Sequence, residues 1–178
     1  MINLTYMSEE KVVLVDKNDN QIGLMPKMEA HQKGILHRAF SIFLLNSENQ
    51  ILLQKRSSNK YHSGGLWTNT CCSHPRDGEN IISAGKRRLS EEMGINTDLK
   101  EAFQFTYKAE LVNGLIEHEY DHVLIGKYNG TPILNKDEAE DYKWVSVEEV
   151  KKDIKENEMD YTVWFIIAFD YFYKNFKK

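Results

Sequence analysis

Hydrophobic positions change period several times along the chain, and each change marks a predicted element. Residues 11–15 form a short apolar run closed by turn-rich residues 16–21, which predicts a strand. Pro26 suits the opening of a short helix that Gly34 would stop. Apolar runs at 39–45 and 51–55, joined by 46–50, predict a hairpin. From 80 to 93, Ile81, Ala84 and Leu89 recur at helical spacing, and Gly94 stands where a left-handed C-terminal cap is expected. Residues 103–112 and 115–128 flank Asn113-Gly114, a strong hairpin signal. Ser146 with Glu149 forms a capping box that starts a helix running to about residue 157. Asp160 or Thr162 is placed to cap a last, aromatic-rich helix ending near 176. Helices mixed with antiparallel hairpins, and no linker or repeat, predict one α/β (α+β) domain over residues 1–178.

Composition narrows the function. A formal charge of −4 supplies no global positive field, so nucleic acid and anionic membrane are not expected partners. Basic residues would act locally. The longest apolar stretch, 163–169, is cut by Asp170, far short of a membrane span. The first residues lack the basic-then-apolar pattern of a secretory signal. Cys71 and Cys72 are neighbours, with Cα atoms about 3.8 Å apart, below the usual disulfide range. Two free thiols suit a cytoplasmic protein.

Candidate chemistry gathers in four segments: His31 with His37, residues 68–75, the helix carrying Arg87, Arg88, Glu91 and Glu92, and Glu117-His118-Glu119. On a strand Glu117 and Glu119 share a face, where two carboxylates repel unless one protonates or a cation intervenes. Imidazoles at His31, His37 and His74 beside those acids suit a divalent transition metal. Taken alone, the residues leave two readings open, a metal site or ordinary histidines and surface acids. Cys72 lies two residues before His74, which could polarise it, and a modest shift would let its thiol exchange protons near neutrality.

The most specific pattern is on the helix. Glu79, Arg87, Leu89, Glu91, Glu92, Gly94 and Ile95 stand at the spacing of the Nudix box, whose acids hold magnesium against a diphosphate. Two ordinary i,i+4 pairs, Arg87 with Glu91 and Arg88 with Glu92, would explain part of it but neither Glu79 nor the Gly94 stop. Ser73 replaces the box's usual first glycine, and Arg88 replaces a usual glutamate. An arginine there favours holding phosphate over cleaving it.

With Trp67-Thr68-Asn69 leading into Cys72, His74 and Pro75, and a Nudix box bearing Arg88, the sequence resembles type 1 isopentenyl-diphosphate isomerases over residues 12–165. The resemblance implies a Nudix-like fold, a mixed β-sheet core packed between helices. It implies a metal-dependent 1,3 proton shift, through a tertiary carbocation, between isopentenyl and dimethylallyl diphosphate. By the same resemblance, His31, His37, His74, Glu117 and Glu119 hold Mn2+ or Zn2+, and Glu92 holds Mg2+ against the diphosphate. Lys27, Arg56, Lys60 and Arg88 grip its oxygens. Cys72 and Glu119 exchange protons from opposite faces of the alkene, Tyr107 assists Glu119, and Trp164 faces the cation. The mechanism needs Tyr107 beside Glu119. A two-residue turn at Asn113-Gly114 would pair Tyr107 with Tyr120, whereas a three-residue loop with Gly114 left-handed pairs Leu111 with Leu115 and Tyr107 with Glu119. The three-residue loop is the prediction. The alternatives are a Nudix pyrophosphohydrolase acting on a nucleotide or isoprenoid diphosphate, and a silent metal- or ligand-binding module on the same fold.

Overall fold

The computed structural model describes residues 10–176, and among them nine strands join one mixed sheet. Its spine is β3 (His37–Leu45), where Phe40, Ile42 and Leu44 alternate with Phe43 and both faces are covered. A strand buried on both sides reads as a near-continuous apolar run, as this one does. Antiparallel β1 (Lys11–Val15) and β2 (Gln21–Pro26) form a hairpin whose inner strand meets β3 at Leu14 and His37. The predicted helix after Pro26 is α1 (Lys27–Lys33), ended by Gly34 at φ 61°. β4 (Gln50–Arg56) returns antiparallel after the turn at 46–50. Short β5 (Trp67–Thr68) and β6 (Cys71–Ser73) pair with β4 and β3.

Helix α2 (Ile81–Met93) covers one face. Asn80 accepts from the backbone N–H groups of Ile82 and Ser83, and Gly94 closes the helix at φ 62°. Long β7 (Leu99–Glu110) and β8 (Ile116–Lys127) make the second hairpin, and β8 runs parallel to β3 from His37–Glu119 to Leu45–Lys127. The loop register is the predicted one. Leu111 N–H donates to Leu115 O at 2.8 Å, Gly114 has φ 77°, and Tyr107 pairs with Glu119. β9 (Ala139–Ser146) then pairs with β4, and the capping box at Ser146 opens α3 (Val147–Glu156). A 3-10 turn at Glu158–Asp160 leads to α4 (Val163–Phe176). At its start, Thr162 O accepts from Ile166 N–H, while the Thr162 hydroxyl donates to Thr68 Oγ1. No described helix is long and apolar enough to cross a membrane.

The sheet therefore lies between helices, with two apolar clusters. One joins Phe40, Ile42, Leu44 and Leu124 to Leu89 and Met93 of α2. The other joins Phe43, Leu53 and Val123 to Val150 of α3 and Phe165, Phe169 and Phe172 of α4. Each such side chain contributes roughly 1.5–3 kcal/mol when fully buried. Neither β2 nor β9 was expected from the pattern. Ile22 and Leu24 of β2 are exposed, and β9 presents Asp141 and Lys143 among half-buried positions, so neither shows a buried alternation.

Two left-handed glycines should respond differently to an added methyl. At Gly94 a Cβ would lie 2.7 Å from the backbone oxygen of Ile133, whereas at Gly114 nothing lies within 4 Å. Gly114→Ala should cost about 1–2 kcal/mol of backbone strain, and Gly94→Ala about 2–4 kcal/mol once overpacking is added. Urea denaturation measures both, and equal losses would contradict the packing described for Gly94.

Candidate active site

At the edge of the sheet where β3 begins, α1, β3, β6 and β8 bring the predicted metal residues together. His31 sits in the last turn of α1 and His37 opens β3, each buried. The Nδ1 of His31 is 2.7 Å from Lys27 O, and that of His37 is 2.8 Å from Ile35 O. A carbonyl only accepts, so Nδ1 carries a proton in both rings and the Nε2 atoms face inward. They face carboxylates: His31 Nε2 is 3.2 Å from Glu117 Oε2, and His37 Nε2 is 3.6 Å from Glu119 Oε1. An imidazole nitrogen directed at a carboxylate needs a proton or a metal ion between them. His74, just past β6, lies with Nε2 3.0 Å from the same Glu119 Oε1.

One ligand atom each from His31, His37, His74 and Glu119 falls within 4.8 Å of all the others. His37 Nε2 and Glu117 Oε2 are buried without a hydrogen-bond partner. Three imidazoles and the Glu119 carboxylate, with these two orphaned atoms, fit a divalent cation, and Glu117 stands beside this group against His31 rather than within it. Glu92 lies apart from this cluster. Its carboxylate accepts from Arg88 at 2.7 Å and from Gln54 at 3.0 Å.

Cys72 and Glu119 line the same cavity, of about 80 Å³, with Phe40, His62, Tyr107 and Trp164. The Tyr107 hydroxyl donates to Glu119 Oε2 at 2.7 Å, as the hairpin register requires. Burial opposes ionisation of Glu119, but the His37 imidazole 3.6 Å away and the hydrogen bond from Tyr107 hold its carboxyl below the usual range. The expectation for Cys72 needs correcting. His74 engages Glu119 rather than the thiol, and burial, with the charges of Glu92, Glu119 and Asp121, pushes Cys72 up to about 12. In this site Cys72 is a thiol. Trp164 is fixed by its Nε1–H donating to Thr68 Oγ1 at 3.1 Å, and the Arg56 guanidinium stands 5.1 Å from its ring.

The cavity opens into an outer groove of about 710 Å³. Lys27 pairs with Glu10 at 3.2 Å, Lys60 with Glu138, and Arg88 with Glu91, Glu92 and Glu138 at 2.6, 2.7 and 3.1 Å. Arg56 donates to the carbonyls of His62 and Ser63, so it clamps the loop over the cavity. Glu79 finds its explanation here. Its carboxylate accepts from Arg87 at 2.8 and 2.9 Å and from the Arg76 backbone N–H, fixing the loop into α2.

Sequence reasoning missed His62, Asp121 and Glu138. His62 stands edge-on to Trp164 at 5.6 Å, 3.8 Å from Glu117. Asp121 accepts from Ser41 at 2.8 Å, and burial with the charges of Glu119 and Glu117 raises its pKa. The period-2 series Glu117, Glu119, Asp121 was a signal for it. Nothing local marked Glu138.

A protein-family model described as NUDIX domain matches residues 35–165. The chain is 51% identical over 162 residues to an Isopentenyl-diphosphate Delta-isomerase 2 of Aromatoleum aromaticum, covering 91% of this chain and 86% of that one. It is 54% identical over 157 residues to an Isopentenyl-diphosphate Delta-isomerase 2 of Photorhabdus laumondii, covering 88% and 89%. Among solved structures, the MutT protein from Methanosarcina mazei superposes with a TM-score of 0.66 at 21% identity over 80% of this chain and 96% of its own, a likeness of fold.

The raised thiol gives a pH prediction. Its contribution to stability is complete below the ordinary value of 9.0 and is lost as pH climbs toward about 12. Cys72→Ala should flatten part of the fall in urea stability across that window, and an unchanged slope would contradict a buried, protonated Cys72.

Proposed function

The chain belongs to the NUDIX family and, within it, to the isopentenyl-diphosphate Delta-isomerases, and from that premise we propose how its residues interconvert isopentenyl and dimethylallyl diphosphate. The observation that carries the reading is that Cys72 and Glu119 line one cavity together with Lys27, Lys60 and Arg88. Residues 1–178 act as one Nudix-like domain, in a cytoplasmic setting that keeps both thiols reduced. The hydrocarbon lies in the inner cavity and the diphosphate in the basic groove.

A 1,3 shift needs one proton delivered to the terminal carbon and one removed across the resulting tertiary cation. Cys72 and Glu119 perform these steps from opposite sides of the alkene, and reversibility makes each an acid in one direction and a base in the other. Tyr107 holds Glu119 in place through the 2.7 Å bond and shares its proton. Trp164 presents its ring to the cation, and a desolvated contact of that kind contributes about 2 kcal/mol, roughly thirtyfold in rate. Alkene protonation requires far more, so exclusion of water and the electrostatics of the His/Glu site carry most of the acceleration. His31, His37, His74, Glu117 and Glu119 hold Mn2+ or Zn2+, which when bound would polarise the Glu119 carboxyl. Glu92 holds the Mg2+ that accompanies the diphosphate, whose oxygens Lys27, Arg56, Lys60 and Arg88 grip.

Arg88 also separates this reading from a pyrophosphohydrolase. It fills a usual acid position of the Nudix box and faces Glu91, Glu92 and Glu138. Proton NMR of isopentenyl diphosphate with Mg2+ should show dimethylallyl product and no released phosphate. Cys72→Ala and Glu119→Gln should each lower turnover by about 10²–10⁴-fold or more while the melting transition survives. Phosphate release without isomer would favour the hydrolase, and full turnover in both variants would overturn the proton-shuttle assignment.

A further inference from the structure

Three of the four cations assigned to the diphosphate already face carboxylates, and one carboxylate serves two of them. Glu138 Oε2 meets Lys60 Nζ, and Glu138 Oε1 accepts from Arg88 Nη2 at 3.1 Å. We propose that Glu138 is an internal counter-ion that takes the place of substrate phosphoryl oxygens in the resting enzyme, so that diphosphate binding is an exchange and weaker anions are rejected. This rests on the reading of Lys60 and Arg88 as diphosphate ligands.

The geometry leaves Glu138 only its side chain to move. Its backbone N–H donates to Asn135 O at 3.0 Å, and its carbonyl accepts from Ser57 N–H at 2.9 Å. The same loop is tied to the end of α2, where Asn135 N–H donates to Glu92 O at 2.9 Å and Ile133 N–H to Met93 O at 2.8 Å. The carboxylate is partly exposed and lines the outer groove, so it can swing into solvent without disturbing that backbone. A phosphoryl oxygen and a carboxylate oxygen want the same N–H donors and repel each other, so both cannot remain close to Lys60 Nζ. Around Lys60 and Arg88 the balance is two cations against Glu91, Glu92 and Glu138. Glu91 and Glu92 still face Arg88 when Glu138 leaves, whereas Lys60 has no other carboxylate within ion-pair distance among the described residues. Only an anion that engages both cations recovers what the exchange removes. A diphosphate can do so, and a single phosphate does so poorly.

The test compares the parent enzyme with Glu138→Gln, using inorganic pyrophosphate and inorganic phosphate as competitors of isopentenyl diphosphate at saturating Mg2+. The variant should bind pyrophosphate about tenfold more tightly or better, the magnitude of one charge-assisted hydrogen bond no longer opposed. Its KM should fall in step, and inorganic phosphate should become a measurable inhibitor. Weaker or unchanged binding of both anions would overturn the proposal, making Glu138 a support for Lys60 and Arg88. A rise in the Mg2+ concentration for half-maximal rate would also overturn it, making Glu138 a metal ligand. The rise in melting temperature on adding pyrophosphate, read for both proteins, tests the exchange without turnover. A parent that fails to isomerise therefore counts against the functional reading alone.

Discussion

Glu117 and Glu119 project from one face of β8 into a space almost without water, and the arrangement of the site follows from keeping both there. Two carboxylates so placed repel strongly, and in a medium of low dielectric the repulsion cannot be screened. The structure surrounds them with imidazoles whose outer nitrogens are committed to backbone carbonyls, so that His31 and His37 turn their Nε2 atoms inward. His74 closes the third side. This set is poorly satisfied by itself, as the partnerless His37 Nε2 and Glu117 Oε2 show, and well suited to a cation. The carboxylate of Glu119, which belongs to this ion-suited group, also shares a cavity with Cys72.

Two strand registers deliver that geometry. Parallel pairing of β3 with β8 places His37 beside Glu119, and the left-handed Gly114 places Tyr107 across from Glu119 on the other side. A one-residue slip in either would turn the side chains to the opposite face. The apolar clusters on both sides of the sheet hold the first register, because Ile42 and Leu44 must meet α2 while Phe43 meets α4. Core packing and chemistry are thus one constraint read at different ends of the same strands.

Much of this was legible before any coordinates. The Gly94 stop and the capping box at Ser146 follow from local residue chemistry, whereas the register of the long hairpin and the grouping of His31, His37, His74 and Glu119 came through the resemblance to type 1 isopentenyl-diphosphate isomerases. What escaped the sequence depended on contacts between distant segments. Polar β9 carries no alternation, yet it is paired along its length to β4. Glu138 sits in an irregular loop and gains meaning only where that loop docks on α2 beside Lys60 and Arg88. The thiol of Cys72 was expected near neutrality because its burial and its acidic neighbours come from β8 and α2, far away in the chain. Glu79 was visible as part of a motif, but its role in clamping Arg87 required the folded loop.

The most direct test is anomalous diffraction from crystals grown with Mn2+ or Zn2+. The account predicts one strong peak among the Nε2 atoms of His31, His37 and His74 and the carboxylates of Glu117 and Glu119, at about 2.0–2.2 Å from its ligands. A cluster with no ion, holding its acids apart by protonation instead, would contradict it.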